Sequence, residues 1–154
     1  MTPIKVLAVD DSALMRRFLD EMLPAEQGFE VDTARNGEEA LAEIHRLDPD
    51  VVTLDINMPE MDGVTCLSRI MVESPRPVVM VSSLTEEGAV VTFEALELGA
   101  VDYIPKPDGT VSRNLKTLGP QIQQKVRNAA RARVRPEEPE PQPAPGRNRG
   151  PTAS

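Results

Sequence analysis

Five short apolar runs, each followed by a segment with helical spacing, constrain the fold of this chain more than any other feature. β-Branched residues are frequent in the runs, as is typical of buried strands. Apolar residues recur every three or four positions in the intervening segments, as in amphipathic helices. This alternation predicts an α/β fold with a parallel sheet covered by helices on both faces. The predicted strands are 4–9, 29–34, 51–54, 78–81 and 101–104, and the predicted helices lie near 12–23, 37–47, 64–71, 86–98 and 112–134.

Glycine and proline residues predict local features of the last two helices. Gly99 directly follows the fourth helix and is placed to cap its carboxyl end. Gly119 and Pro120 fall inside the fifth helix. Because proline has no N–H and clashes with the preceding turn, we expect it to kink that helix or to split off the first turn.

Charge and proline content separate the end of the chain from the rest. Residues 111–135 contain seven basic residues and no acidic one, a stretch that is either a docking surface or a solvated helix end. Residues 136–154 contain six of the fifteen prolines and no Val, Ile, Leu, Met or aromatic residue. Such a segment cannot bury enough apolar surface to offset its ordering entropy. We therefore expect a folded domain over 1–134 and a disordered linker over 135–154.

Composition argues against several functional classes. A net charge of −8 disfavours broad contact with nucleic-acid phosphates, and the absence of Trp disfavours a base-stacking platform. The single cysteine, Cys66, cannot form an internal disulfide, and we expect it and the methionines to fill the core. Neither a signal peptide nor an apolar run of about 20 residues is present. We expect a cytoplasmic protein with no nucleic-acid partner and no membrane insertion.

Polar side chains follow four of the five predicted strands. In open α/β sheets, ligands bind outside the carboxyl ends of the strands, where these positions converge. We therefore expect three carboxylates, a hydroxyl and an ammonium to share one edge of the sheet. They are Asp10 and Asp11 after the first strand, Asp55 after the third, Ser82 after the fourth and Lys106 after the fifth.

This group of side chains predicts a metal-dependent phosphoryl site. Crowded carboxylates repel one another, and a hard divalent cation relieves that repulsion. Oxygen ligands favour Mg²⁺ or Mn²⁺ over Zn²⁺. With a metal bound, one aspartate can act as the nucleophile toward a phosphoryl group while an ammonium compensates the charge on the transferred oxygens. A nearby hydroxyl and aromatic ring could then respond to the added charge.

Each of these residues also has a simpler interpretation. Asp10 and Asp11 could cap the helix that follows them, and Asp55 could be a turn residue. Lys106 taken alone is uninformative, because exposed lysines are common. The shared position at strand ends favours the site over these alternatives.

Four segments of the sequence resemble the receiver domain of two-component response regulators. They read VLAVDDSALMRR, VVTLDINMPEMDG, VVMVSS and GAVDYIPKP, and the resemblance extends over residues 4–134. It implies a doubly wound, flavodoxin-like sheet with strand order 2-1-3-4-5 and five helices. It also implies that Asp55 is the phosphoacceptor. Mg²⁺ would be held by Asp11, Asp55 and the backbone carbonyl of Asn57, with Asp10 acting through a water.

The same resemblance implies roles for four residues of the last two strands. Lys106 should pair with the phosphoryl group, and a cis bond to Pro107 should fix that lysine. Ser82 should supply the hydroxyl that moves toward the phosphoryl oxygens. Tyr103 matches the aromatic ring that swings inward with that hydroxyl, although it could also be an ordinary half-buried strand tyrosine.

Within this family, the chain is most similar to the N-terminal domain of chemotaxis protein-glutamate methylesterases, many of which also deamidate receptor glutamines. The similarity lies in DSALMRR, VVMVSSLTEEG and VTFEALELGAVDYIPKP. It implies a histidine kinase as the phosphodonor, chemoreceptors as the substrates of the whole enzyme, and a catalytic domain with a Ser-His-Asp triad. That domain is not found in these residues, and His45 is expected to be an ordinary surface residue. The chain alone should therefore catalyse only its own phosphorylation and dephosphorylation.

Two other functions remain open on the sequence. The chain could be the receiver of another response regulator, either alone or with a DNA-binding output. It could also resemble a metal-dependent phosphatase with an aspartyl nucleophile. The second alternative is weakened because Asn57 stands where such an enzyme would have its second aspartate.

Overall fold

The predicted alternation of strands and helices is present in the computed structural model, which describes residues 2–83, 85–106 and 111–132, without the side chains of 111–117. A short 3-10 helix at Ala25–Gln27 is the addition to the predicted elements. The strands are β1 (Ile4–Val9), β2 (Phe29–Ala34), β3 (Val51–Asp55), β4 (Val78–Ser82) and β5 (Asp102–Pro105). The helices are α1 (Ala13–Met22), α2 (Gly37–Leu47), α3 (Gly63–Glu73), α4 (Glu86–Glu97) and α5 (Val111–Ala132).

All five strands are parallel and lie in the order β2-β1-β3-β4-β5. This confirms the doubly wound, flavodoxin-like fold class. Because the strand order reverses direction next to β1, the carboxyl ends of β1 and β3 adjoin at the switch point, where ligands bind in such sheets. The residues that follow these two strands are therefore neighbours in space.

The sheet separates two apolar cores. Leu7 and Leu54 belong to the core beneath α2, α3 and α4, which also contains the fully buried Cys66. Val51 and Val81 belong to the core beneath α1 and α5. Adjacent residues of one strand thus face opposite layers, and both faces of each central strand are apolar. The expectation that Cys66 is a core residue is confirmed, and burial raises the pKa of its thiol to about 11.

The fifth helix differs from its prediction. α5 runs as one helix from Val111 to Ala132 with Pro120 inside it, so the expectation that its first turn splits off is wrong, whereas the kink that we expected as the other outcome stays a prediction. Tertiary packing explains the difference, because Ile122 and Val126 are buried against the sheet. Gln123 Nε2 also donates to the carbonyl of Met22 at 2.9 Å, which anchors the helix just after the proline. Packing of this kind compensates for the hydrogen bond that proline removes.

Two smaller predictions, for Gly99 and His45, agree with the structure. Gly99 follows α4 with φ of 120°, the left-handed region expected of a residue just past a helix end. His45 is exposed in the last turn of α2, at the edge of the sheet opposite the strands' carboxyl ends. No helix in the described part of the chain is both long enough and apolar enough to cross a bilayer. Pro107 and the linker predicted over 135–154 lie outside the described residues.

Candidate functional site

Three aspartates meet at the carboxyl edge of the sheet, as the sequence predicts. Asp10 and Asp11 follow β1, and Asp55 is the last residue of β3. One carboxylate oxygen from each lies within 4.8 Å of the others. Asp10 and Asp55 are fully buried, whereas Asp11 is exposed. Two of the three charges are therefore held away from water.

Asp10 is fixed through its backbone and through one side-chain oxygen. Its N–H donates to the carbonyl of Ala34 at 3.1 Å, and its own carbonyl accepts from Nη1 of Arg16 at 2.8 Å. Its Oδ1 accepts from the N–H of Ser12 at 2.9 Å. Its Oδ2 is buried and has no hydrogen-bond partner among the described residues. The Arg16 contact is one that the sequence did not predict.

The cap of α1 is Ser12, not either aspartate. Its Oγ accepts from the N–H of Met15 at 3.3 Å. The alternative in which Asp10 and Asp11 are helix caps is therefore wrong. Asp10 instead contacts the backbone of the cap residue itself, which ties the start of α1 to the carboxylate cluster.

Asp55 has one oxygen in use and one oxygen free. Its Oδ1 accepts from the N–H of Asn57 at 3.1 Å and lies 3.0 Å from Nζ of Lys106. Its Oδ2 is buried without a hydrogen-bond partner in the described structure. Asp55 does make the local bond of a turn residue, yet it also forms an ion pair with a residue that follows β5. The turn interpretation alone does not account for that ion pair.

Burial dominates the electrostatics of this pair of aspartates. Desolvation raises the pKa of Asp55 to about 7, against the lowering effect of the Lys106 hydrogen bond, while the charge of Asp10 raises it further. Desolvation also raises the pKa of Asp10, against the hydrogen bond from the backbone of Ser12. Two neighbouring carboxylates thus resist ionising together.

The donor atoms at this edge fit a hard divalent cation. Oδ2 of Asp10 and Oδ2 of Asp55 are buried oxygens without partners in the part of the chain that is described, and Asp11 adds a third carboxylate. A cation beside these oxygens would compensate negative charge that is otherwise costly to bury. No histidine or cysteine belongs to this cluster among the described residues, so the donor set suits Mg²⁺ rather than Zn²⁺.

The loop between β3 and α3 packs directly on the backbone of Asp55. The N–H of Gly63 donates to the carbonyl of Ile56 at 2.8 Å. A Cβ at Gly63 would overlap the carbonyl oxygen of Asp55 and lie 2.7 Å from Cα of Ile56. A residue without a side chain is required here, and this requirement was not foreseen from the sequence. The cue available was the Asp62-Gly63 pair, which the sequence identifies only as a turn.

Ser82 ends β4, but its hydroxyl does not bond to the aspartates. It donates toward the carbonyl of Ser83 at 3.1 Å or that of Gly88 at 3.3 Å. It also accepts from Oγ1 of Thr92 at 2.7 Å. The backbone carbonyl of Ser82 accepts from the N–H of Lys106 at 2.8 Å, which places the lysine beside the end of β4.

Tyr103 lies on β5 with 41% of its surface exposed. Nζ of Lys125, on α5, is 4.6 Å from the centre of its ring and donates to its backbone carbonyl at 2.5 Å. The same ammonium is 3.6 Å from Asp102. Beside the ring is a cavity of about 540 Å³ between α4 and β5, whose lining includes Ser82, Thr92 and Phe93. This position fits a tyrosine ring that points outward before it swings inward, and it also fits an ordinary tyrosine of a strand.

Comparison with protein families and with solved structures gives consistent matches. The family model for the response regulator receiver domain matches residues 6–114. The crystal structure of the response regulator domain of Thermotoga maritima CheB matches with a TM-score of 0.76 at 44% identity, over 86% of this chain and 99% of that one. The Vibrio cholerae chemotaxis protein CheY4 matches with a TM-score of 0.67 at 28% identity, over 83% of this chain and 99% of that one.

Curated relatives carry methylesterase names. A protein-glutamate methylesterase/protein-glutamine glutaminase of Rhodospirillum rubrum is 67% identical over 128 residues, which are 83% of this chain and 35% of that protein. One of Vibrio cholerae is 54% identical over 83% of this chain and 36% of its own length. The chain therefore spans about a third of the length of the curated relatives it matches.

Proposed function

The chain belongs to the family of response regulator receiver domains and is homologous to the regulatory domain of CheB, and on this basis we propose that Asp55 is its phosphoacceptor. The observation that carries the proposal is the asymmetry of the Asp55 carboxylate. Oδ1 is held by Lys106 and the backbone of Asn57, whereas Oδ2 is buried with no partner among the described residues. The free oxygen is the one available to form a new bond.

The proposed chemical step transfers a phosphoryl group from the donor to the carboxylate of Asp55. Oδ2 of Asp55 attacks phosphorus, the bond from phosphorus to the donor breaks, and its electron pair leaves with the donor. With a phosphohistidine donor the leaving group is an imidazole nitrogen, and with acetyl phosphate it is acetate. Hydrolysis reverses the modification when water attacks phosphorus and the aspartate leaves as a carboxylate.

The neighbouring residues supply charge and position. The ammonium of Lys106, 3.0 Å from Oδ1, is placed to compensate negative charge on the transferred oxygens. Asp10, Asp11, Asp55 and the carbonyl of Asn57 would hold Mg²⁺, and Mn²⁺ would suit the same donors. When bound, the cation supplies further compensation of that charge. Asp10 and Asp55 then no longer face each other as an uncompensated buried pair.

Two further residues are proposed to transmit the change. The hydroxyl of Ser82 turns toward the new phosphoryl oxygens, and Tyr103 moves into the cavity that Ser82 and Thr92 line. The cis bond to Pro107 proposed from the family would fix the backbone beside Lys106. Together they would alter the face formed by α4, β5 and α5.

The whole protein is proposed to be a chemotaxis methylesterase that this domain regulates. The support is the 67% identity to a protein-glutamate methylesterase/protein-glutamine glutaminase. On this proposal the phosphodonor is a chemotaxis histidine kinase, and the protein is cytoplasmic. The regulated partner is a methylesterase catalytic domain, which acts on glutamate methyl esters of chemoreceptors.

The phosphoacceptor proposal is tested by labelling with acetyl phosphate and Mg²⁺. Intact-mass spectrometry should detect one phosphoryl group on the wild-type chain and none on Asp55→Asn. Asp62→Asn is the matched control, because Asp62 caps α3 through a 2.8 Å bond to Thr65 and asparagine caps equally well. Labelling of Asp55→Asn at the wild-type rate would show that the assignment is wrong.

The regulatory proposal needs the full-length protein. Methyl-ester hydrolysis on receptor preparations should rise when acetyl phosphate and Mg²⁺ are added to the wild type. It should stay at the basal rate in the Asp55→Asn protein. An equal rise in both proteins would contradict regulation through this domain.

A further inference from the structure

Thr92, in the middle of α4, holds the hydroxyl of Ser82. Its Oγ1 lies 2.7 Å from Oγ of Ser82 and 2.7 Å from the carbonyl of Gly88. Both hydroxyl residues are buried, with 4% of Ser82 and 7% of Thr92 exposed. Water therefore does not compete for these bonds, which raises their value relative to exposed hydroxyl contacts.

Among the described residues, the hydrogen bonds of these two hydroxyls form one connected set. Each hydroxyl has one hydrogen to donate, and the acceptors around them are the carbonyls of Ser83 and Gly88 and the oxygens of the two hydroxyls. The single hydrogen of Thr92 goes either to Oγ of Ser82 or to the carbonyl of Gly88, four residues earlier in α4. In the second case Ser82 is the donor of the bond between the two hydroxyls. The Ser82 hydroxyl must leave this set before it can donate to a group on Asp55.

The first turn of α4 also rests directly on the end of β4. A Cβ at Gly88 would lie 2.5 Å from the carbonyl oxygen of Ser83 and 3.2 Å from Oγ of Ser82. The backbone of α4 therefore packs closely on the backbone of Ser83, with the hydroxyls of Ser82 and Ser83 beside this contact. A change in the orientation of Ser82 consequently alters the contacts that seat α4.

We propose that Thr92 is a positioning residue that holds the Ser82 hydroxyl on α4 in competition with the phosphoryl group on Asp55. This inference rests on the proposed function, because it concerns the switching of that site. The Thr92 hydroxyl stabilises the unphosphorylated arrangement. Phosphorylation breaks the bond between the two hydroxyls, and α4 is then held less firmly to β4.

Two substitutions at position 92 separate the hydroxyl from the size of the side chain. Thr92→Val replaces the hydroxyl by a methyl group of similar volume, and Thr92→Ser keeps the hydroxyl. In Thr92→Val, Ser82 can still donate to the carbonyl of Gly88 or Ser83, so no buried donor is left unsatisfied. Urea unfolding of each variant establishes that it is folded, and Thr92→Ala replaces the valine variant if that one is not.

The first measurement uses the protein without any phosphoryl group. Scalar couplings measured by NMR report the side-chain rotamer of Ser82. We expect a single rotamer in the wild type and in Thr92→Ser, and averaging between rotamers in Thr92→Val. This comparison does not depend on Asp55 being a phosphoacceptor.

The second measurement titrates each protein with fluoroberyllate, a phosphoryl analogue, in the presence of Mg²⁺. Loss of one net hydrogen bond in the unbound state predicts roughly two- to tenfold tighter binding by Thr92→Val. Thr92→Ser should bind as the wild type does. The gain should disappear when Ser82 is replaced by alanine, because the competing hydroxyl is then absent.

The two proposals fail in different ways. If the wild-type protein binds no fluoroberyllate, the proposed function is contradicted. The NMR comparison of the Ser82 rotamer then tests the positioning role of Thr92 by itself. Wild-type affinity in Thr92→Val, or an unchanged Ser82 rotamer, overturns the positioning role. A gain that persists in the Ser82→Ala background overturns it as well, since Thr92 would then act by another route.

Discussion

The ammonium of Lys106 lies 3.0 Å from Oδ1 of Asp55, while Oδ2 of the same carboxylate has no partner among the described residues. The side chain of Asp55 is 1% exposed and that of Lys106 is 25% exposed. The side chain of Lys106 is thus partly exposed to solvent, whereas the carboxylate that it contacts is buried. One oxygen of Asp55 is anchored, and the other is the one we propose to attack phosphorus.

Replacing this lysine should impair phosphorylation more than folding. Lys106→Met removes the charge that we propose compensates the phosphoryl oxygens, and we expect labelling by acetyl phosphate to slow by on the order of a hundredfold. Lys106→Arg keeps the charge but changes its shape, so its unfolding free energy should stay near that of the wild type while its labelling also slows. Wild-type labelling kinetics in Lys106→Met would rule out a direct role for the ammonium.

The buried aspartates should make the metal-free protein less stable as pH rises. The pKa of Asp55 is raised from 3.8 to about 7, so the folded state binds more protons than the unfolded state between these values. Stability from this group is therefore full below about pH 4 and is lost as pH rises through about 7. Urea unfolding with a chelator present should show a loss on the order of 1–3 kcal/mol between pH 5 and 8.

Asp55→Asn isolates the contribution of Asp55 to this pH dependence. The amide cannot ionise, so the loss of stability between pH 5 and 8 should be smaller than in the wild type, and at pH 8 the variant should be the more stable protein. Equal pH slopes would mean that Asp55 is already ionised at pH 5.

Much of the site is predictable because it depends on strand ends alone. Asp10, Asp55 and Lys106 follow strands that are recognisable from apolar runs, and the ends of parallel strands share one edge. Contacts made by helix side chains were not predicted in this way. Arg16 and Thr92 reach their partners only because α1 and α4 have a particular rotation about their axes, which the apolar pattern does not specify to the nearest residue.

Pro120 shows that a local sequence rule can also predict a feature that tertiary packing overrides. The local rule predicts either a kink or a split-off first turn, but it does not weigh the packing of the residues that follow the proline. Ile122 and Val126 are buried beneath α5, and this tertiary burial keeps the helix in one piece. A sequence rule that considers one turn of helix cannot include that contribution.

Gly63 should not tolerate a side chain. In Gly63→Ala the new Cβ would overlap the carbonyl oxygen of Asp55, so the β3–α3 loop must shift. We expect a loss of about 1–3 kcal/mol in unfolding free energy and slower labelling of Asp55. Gly119→Ala is the control, because among the described residues the nearest neighbour of its Cβ would be Sδ of Met22 at 3.5 Å, and alanine favours the helix. A Gly63→Ala protein as stable as the control would contradict the packing described here.

Arg16 should support metal binding although it carries a positive charge. Its Nη1 holds the carbonyl of Asp10 at 2.8 Å, and we expect Arg16→Met to weaken Mg²⁺ binding by on the order of tenfold, because the loop that carries two aspartates loosens. The neighbouring Arg17 is exposed, and Arg17→Met removes the same charge. Loss of a cation should by itself strengthen Mg²⁺ binding slightly, so the two variants should shift the dissociation constant in opposite directions. Isothermal titration with MgCl₂ measures both, and tighter binding by Arg16→Met would show that Arg16 acts only through its charge.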